Sequence, residues 1–525
     1  VTIRRAAYAA LLGPALFAAS AAGDPPPAAP AADDILQLKD GRFVQGVPLK
    51  VNEKFIVASY KHGDVYVPMD LVEDYVIGGK SPDAGNDDDK AQRANGMVRY
   101  RGKWVKPDVR DKLIKKEIED KKKDIEQIKA HSEWRNRWKF EGKYFSFEST
   151  LTPPQNEHYA ALLDAYFEVF KKDWNITIPK GFPPKLKVCV YPTQSDFMKG
   201  TGMPERVLAY YKFVPSPDRD LNFFNNRSDV RMTEQNMFHE CNHYLVDLFS
   251  QGLRYPHWIG ESMAEYYGGS VYDEKTKTVK VGQVQEGRLV EVREDIAKGK
   301  KMGIAEMISS SSPSQYEDYY WGWSFTHFLM ETPAYQKKYR QFFVDLSRSP
   351  EVKRKPVTIA GSNFTSVENE EVLRFFKKRM GISESGGFDA LQNEWYAYIE
   401  KLQASGLRGY EEAGKKAFGN GEWMFRAPRL LKLAIEKGSK DPDTFIGLSR
   451  CLRMKPEGLA EALEVVKKGC EIDPLSADCW AERGYVTQLM GQKDEGKKLV
   501  DLAYELDPAG YFVDYQTLLA AAGTK

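Results

Sequence analysis

Two histidines and a glutamate set at helical spacing are the residues best suited to chemistry. They lie in His239-Glu240-Cys241-Asn242-His243, an HExxH pattern. The surrounding stretch, from about residue 233 to 249, reads as helix. At about 100° per residue, side chains four apart project about 40° from each other, so both imidazoles can reach one metal ion. Glu240 stands beside them, able to take a proton from water without ligating the ion. Histidine is scarce, 7 in the chain, which weighs against the bland account of two hydrogen-bonded histidines sharing a helix. A hydrolytic zinc site needs a third protein ligand and an open fourth position. Glu261, in His257-Trp258-Ile259-Gly260-Glu261-Ser262-Met263-Ala264-Glu265-Tyr266, is the candidate carboxylate.

That second segment resembles the ligand helix of gluzincin zinc peptidases, which carries its glutamate in a Trp-x-x-Glu-Gly-x-Ala pattern. Trp258, Glu261 and Ala264 match, while Ser262 stands where glycine is usual. The resemblance implies one Zn²⁺ per chain held by His239, His243 and Glu261, with Glu240 as general base in peptide hydrolysis. It further implies that Glu265, one turn beyond Glu261, hydrogen-bonds a ligand histidine and fixes its ring; an exposed helix glutamate is the alternative. The run from Tyr319 to Leu329 resembles the helix start that carries the transition-state tyrosine of gluzincin aminopeptidases, where Tyr-x-x-Gly-aromatic is typical. On that match Tyr319 donates to the developing oxyanion and Gly322 permits close packing. Tyr316 and Tyr320 are near enough to compete. The Gly-x-Met-Glu-Asn segment with which aminopeptidases capture an amino terminus is missing, and Leu221-Asn222-Phe223-Phe224-Asn225-Asn226 takes its place. Endopeptidase and other amide-hydrolase activities therefore stay open.

For His257 and His327 a structural or surface role outweighs a catalytic one. Cys241, two residues from His239, is turned about 200° from the metal face and is expected to pack behind the helix.

These residues need an α+β scaffold. A strand at 144–147, a helix at 156–173 and a β-rich run at 186–191 precede mostly helical sequence, so 139–405 is expected to form a gluzincin-like zinc peptidase domain with a small β-sheet and a helical catalytic subdomain. Alternating apolar positions and turn signals predict a small β module at 35–79. Residues 80–97, with Asp87-Asp88-Asp89, read as an acidic linker. Residues 98–138 read as a charged helical segment with a solvated face. From 406 to 525 the sequence is helical, with Asp-Pro at 441–442, 473–474 and 507–508. Their spacing is close to the ~34-residue period of tetratricopeptide repeats. Trp480, Gly484, Ala503 and Pro508 resemble that family's consensus, which implies a surface for a protein partner; a stabilising helical cap is the alternative.

Arg4-Arg5, an apolar run to about Ala19 and small residues after it predict a signal peptide over 1–22, followed by a Pro/Ala linker at 23–34. That run is shorter than the ~20 residues a membrane span requires. Together these features predict a periplasmic or extracellular protein with no stable membrane insertion after cleavage. Five cysteines, an odd number without a CxxC pair, do not resemble a disulfide framework or a cysteine zinc site. A net charge of +1 gives no support to nucleic-acid binding. The expected substrate is a peptide or protein. The rivals are a non-catalytic envelope scaffold that binds partners through its repeats, and a metal-dependent amidase acting on peptidoglycan.

Overall fold

Pairs of strands and the helices that follow them take their limits from identifiable local signals. The computed structural model describes residues 34–78, 87–176, 185–204, 207–213, 219–226, 229–250, 252–309, 316–404, 406–419 and 421–507. The expected signal peptide, nearly all of the Pro/Ala linker, and Pro508 fall outside them. Two compact units are present, one built from residues up to 60 with 66–110, the other from 61–65 with 111–525.

In the first unit, Ile35–Leu38 is flanked by Phe43–Gln45 and Val72–Val76 in a three-stranded sheet, and Leu49–Val51 pairs with Phe55–Tyr60. Two expectations need correction. The acidic linker contains a helix, Asp87–Ala94, with Asp88 and Asp89 in its first turn, where carboxylates oppose the positive end of the helix dipole. The charged segment opens not as helix but as a hairpin, Val98–Tyr100 with Lys103–Val105. Arg101 and Gly102 both have positive φ, the requirement of a tight two-residue hairpin turn. Helix follows over Pro107–Ala130.

The second unit has an α+β architecture. Trp138–Glu141 (β1) alternates half-buried and exposed residues, and Phe145–Ser149 (β2) buried and half-buried ones, as half-covered strands do. Helix α1 (Pro153–Asp173) begins three residues earlier than the sequence reading, because Thr152 and Gln155 form a capping box and Pro153 costs no backbone bond at the first position. Leu186–Tyr191 (β3), Ala209–Lys212 (β4) and Asp220–Phe224 (β5) complete a five-stranded sheet in the order β4-β5-β3-β2-β1. Its three central strands run parallel, β3 and β5 being buried almost throughout; β4 is an antiparallel edge.

Helix α2 (Val230–Ser250) carries the HExxH residues and α3 (His257–Gly268) the second motif. Helices α4 (Glu286–Ala297) and α5 (Glu317–Glu331) follow. Within α5, Trp321, Trp323, Phe325 and Leu329 are core residues. A Cβ at Gly322 would come 2.9 Å from Ser262 Cβ, so glycine there lets α5 lie directly on α3.

Among the described residues, six further α-helices lie beyond residue 406: α6 (Leu407–Gly419), α7 (Arg426–Glu436), α8 (Pro442–Leu452), α9 (Leu459–Ile472), α10 (Ala477–Leu489) and α11 (Lys493–Leu506). They pack as successive pairs. Asp441 caps α8 and Ser476 caps α10. Gly484 faces the Gly496 carbonyl so closely that an added Cβ would sit 2.7 Å from it. Among the described residues no helix is long and apolar enough to cross a membrane.

Gly322→Ala is expected to destabilise the protein by about 1–3 kcal/mol through overpacking, measured by denaturant unfolding. Adding Ser262→Gly removes the atom in the way and should recover part of that loss. Independent, additive effects of the two substitutions would contradict this close contact.

Candidate metal centre

A cleft of about 630 Å³ runs beside α2 and is bordered by α3, the start of α5 and the edge strand β4. Helix α2 turns Asn236, His239, Glu240 and His243 into it. The opposite face, with Met237, Phe238, Cys241 and Leu245, is buried in the core. Cys241 therefore packs behind the helix, and Asn242 donates to the Tyr166 hydroxyl at 3.0 Å. The two faces of one helix thus separate side chains that line the cleft from side chains that pack in the core.

His239, His243 and Glu261 each bring one ligand atom into a group whose members lie within 4.8 Å of one another. His239 Nε2 is 3.2 Å from Glu261 Oε2, and His243 Nε2 is 3.6 Å from Glu261 Oε1. Donors of a tetrahedral zinc site with bonds of ~2.0–2.1 Å are about 3.3–3.4 Å apart; the two contacts, made through different Glu261 oxygens, lie near that spacing, and the whole group would draw in from its 4.8 Å span to hold such an ion. Burial disfavours the charged form of Glu261, yet the imidazoles of His243 and His239 hold its carboxyl well below the usual range. A carboxylate kept ionised between two ring nitrogens is suited to a cation.

Glu240 lies in the same cleft. The Tyr211 backbone N–H donates to Glu240 Oε2 at 2.9 Å, an orienting contact from β4. Tyr319 also lines the cleft, its ring 6.2 Å from that of His239 and 6.3 Å from that of His257. The competing tyrosines have other tasks. Tyr316 donates to Glu291 Oε1 at 2.6 Å, and Tyr320 is buried and donates to Asp295 at 2.7 Å. No hydrogen bond is formed by the Tyr319 hydroxyl among the described residues. Burial, together with the charges of Glu261, Glu265 and Glu240, raises its pKa, keeping the phenol protonated as a donor.

Glu265 is 6 % exposed, not an exposed helix residue. Its Oε1 is 3.4 Å from His239 Nδ1, and both its oxygens accept from Arg288, at 2.8 and 2.7 Å. Burial works against its charge, but Arg288, Lys416 and His239 keep the carboxyl well below the ordinary range. Arg288 continues to Glu291 at 2.9 Å, and Glu291 to Arg426 at 3.0 Å. His257 also faces the cleft, with Nε2 3.8 Å from Glu261 and Nδ1 3.8 Å from Asp318. His327 is structural: it is buried, bonded to the Tyr398 hydroxyl at 2.7 Å and the Gly282 carbonyl at 3.2 Å, and burial lowers its pKa to about 4.

Three contributors escape the sequence reading: the Tyr211 N–H, Arg288 and Lys416. The first is a backbone group with no residue signature. The other two are single cations in charged helices, recognisable only through their tertiary neighbours.

Residues 235–356 match a family described as a protein of unknown function, DUF1570. That span contains both histidines, Glu261, Glu265, Arg288 and Tyr319 but not β4 or Lys416. A comparison with curated proteins finds no match.

His239→Ala, His243→Ala and Glu261→Ala are each expected to lower bound zinc well below one per chain by elemental analysis. Cys241→Ala, altering the core-facing side of the same helix, should retain it. Zinc lost on Cys241→Ala but kept by the histidine variants would put the ligand set in error.

Proposed function

We propose that the protein is a zinc-dependent peptidase of gluzincin type that hydrolyses peptide bonds. The observation that carries this reading is the convergence of His239, His243 and Glu261 with Glu240 in one open cleft beside an edge strand. A purely structural zinc site has no need of an adjacent base or an open face, which favours catalysis over the scaffold reading.

A bound zinc ion supplies Lewis acidity, bringing the pKa of its water toward ~7 and polarising a carbonyl. Glu240 accepts a proton as water oxygen bonds to the carbonyl carbon. It then gives that proton to the amine nitrogen as the C–N bond breaks. The Tyr319 hydroxyl donates to the oxyanion formed in between. Glu265, braced by Arg288, holds the His239 ring.

The edge strand supports a peptide as substrate. In an antiparallel ladder, residues bonded to the partner strand alternate with residues whose backbone groups point away. Tyr211 N–H points to Glu240, so Ala209, two positions earlier, directs its backbone groups to the same side. An extended peptide can pair there. Export, inferred from Arg4-Arg5 and the apolar run after them, and recruitment of a protein through the tetratricopeptide-like helix pairs belong to the same proposal.

Glu240→Gln preserves size and hydrogen bonding but removes the base. Zinc should stay near one per chain while hydrolysis of a quenched peptide library falls by about 10²–10⁴. Tyr319→Phe should keep the metal and mainly lower kcat. Undiminished turnover by Glu240→Gln would overturn the mechanism; zinc-loaded protein that cleaves muropeptides but no peptide would favour the amidase.

A further inference from the structure

Lys416 stands out among the cations near the site because, among the described residues, no carboxylate forms an ion pair with it. It lies on α6, yet it lines the cleft together with His239, Glu265, Arg288 and Tyr319. Its position follows from close helix packing. A Cβ at Gly409 of α6 would come 2.9 Å from Val290, and one at Gly287 of α4 would come 2.9 Å from Glu412 Cβ, so a glycine on each helix lets the two backbones approach. Gly287 N–H donates to Glu412 Oε2 at 3.0 Å, securing the contact. Lys416 is one helical turn beyond Glu412 and so shares its face.

The neighbouring cations are all engaged. Arg288 binds Glu265 and Glu291, Lys415 binds Asp441 at 2.6 Å, Arg408 binds Glu412 at 2.8 Å, and Arg426 binds Glu291 at 3.0 Å. Among the described residues Lys416 forms no hydrogen bond or ion pair. The acids that feel its charge, Glu265, Glu291 and Glu412, already have other donors. Burial, then the charge of Arg288, lowers its pKa to about 8. A partly buried ammonium with no ion pair of its own is open to a charge brought by a bound molecule. Here the cleft is the direction from which it can come.

We infer that Lys416 is a specificity residue that binds a substrate carboxylate, so that the site selects peptides carrying an acidic group near the scissile bond. This rests on the peptidase reading for its setting but has a separate readout. The carboxylate can belong to an Asp or Glu side chain or to a free C-terminus; both offer the same charge-assisted hydrogen bond.

The test uses full-length zinc-loaded protein and matched peptides, Glu against Gln at each position and free acid against C-terminal amide. Cleavage is followed by kcat/KM in the wild type, and binding by fluorescence anisotropy in the Glu240→Gln protein. The carboxylate-bearing member of one pair is expected to be favoured about 10- to 100-fold in both assays. Which pair responds identifies the source of the carboxylate. Lys416→Met, and Lys416→Gln should the first not fold, are expected to bring that ratio near one, with KM carrying most of the change. Cleavage without discrimination, or discrimination that survives loss of Lys416, overturns the inference and leaves the peptidase reading standing. Discriminating binding that depends on Lys416, without cleavage by the wild type, upholds it while the peptidase reading falls. Absence of both binding and cleavage sinks the two together.

Discussion

The bidentate ion pair between Glu265 and Arg288 is the interaction on which the rest of the site depends. Glu265 is 6 % exposed and Arg288 3 % exposed, so neither charge has water to fall back on. Removing one partner of such a pair typically costs about 3–5 kcal/mol, because the other is left buried and uncompensated. The pair joins α3 to α4, and Arg288 also donates to Tyr316, just before α5, at 3.1 Å. Through Glu291 and Arg426 the chain of charges extends to α7. Glu265 thus faces His239 Nδ1 from a fixed place, leaving Nε2 directed toward Glu261.

Close backbone approaches give this network its geometry. Gly322 brings α5 onto α3, so Tyr319 stands over the histidines; Gly287 and Gly409 bring α6 onto α4, so Lys416 reaches the cleft. Strand β4 supplies the remaining wall and, through the Tyr211 N–H, holds the Glu240 carboxylate. His239, Glu240 and His243 on α2, Glu261 on α3, Tyr319 on α5 and Lys416 on α6 are therefore brought together by packing between helices and one sheet edge.

Legibility in the sequence follows the range of the interaction. The HExxH residues lie within a turn of one helix, and periodicity alone sets their common face. Glu261 is readable because its own helix carries a local pattern. Glu265 is only half readable, since its burial depends on Arg288, which belongs to another helix. Choosing Tyr319 over Tyr316 and Tyr320 requires knowing that Glu291 and Asp295 occupy the other two hydroxyls. Lys416 sits far along the chain in a helix that reads as part of a separate repeat region, and no local signal ties it to the cleft. Nearer the start, charge density obscured local structure: the acids at 87–89 conceal a helix, and the Arg101-Gly102 turn conceals a hairpin.

The central claim is that one zinc ion is held by two imidazoles and a carboxylate. X-ray absorption at the zinc edge on the loaded full-length protein tests it most directly. The account predicts a shell of nitrogen and oxygen at ~2.0–2.1 Å with the outer-shell scattering of two imidazole rings. A sulfur shell at ~2.3 Å, or scattering from no imidazole, would contradict it.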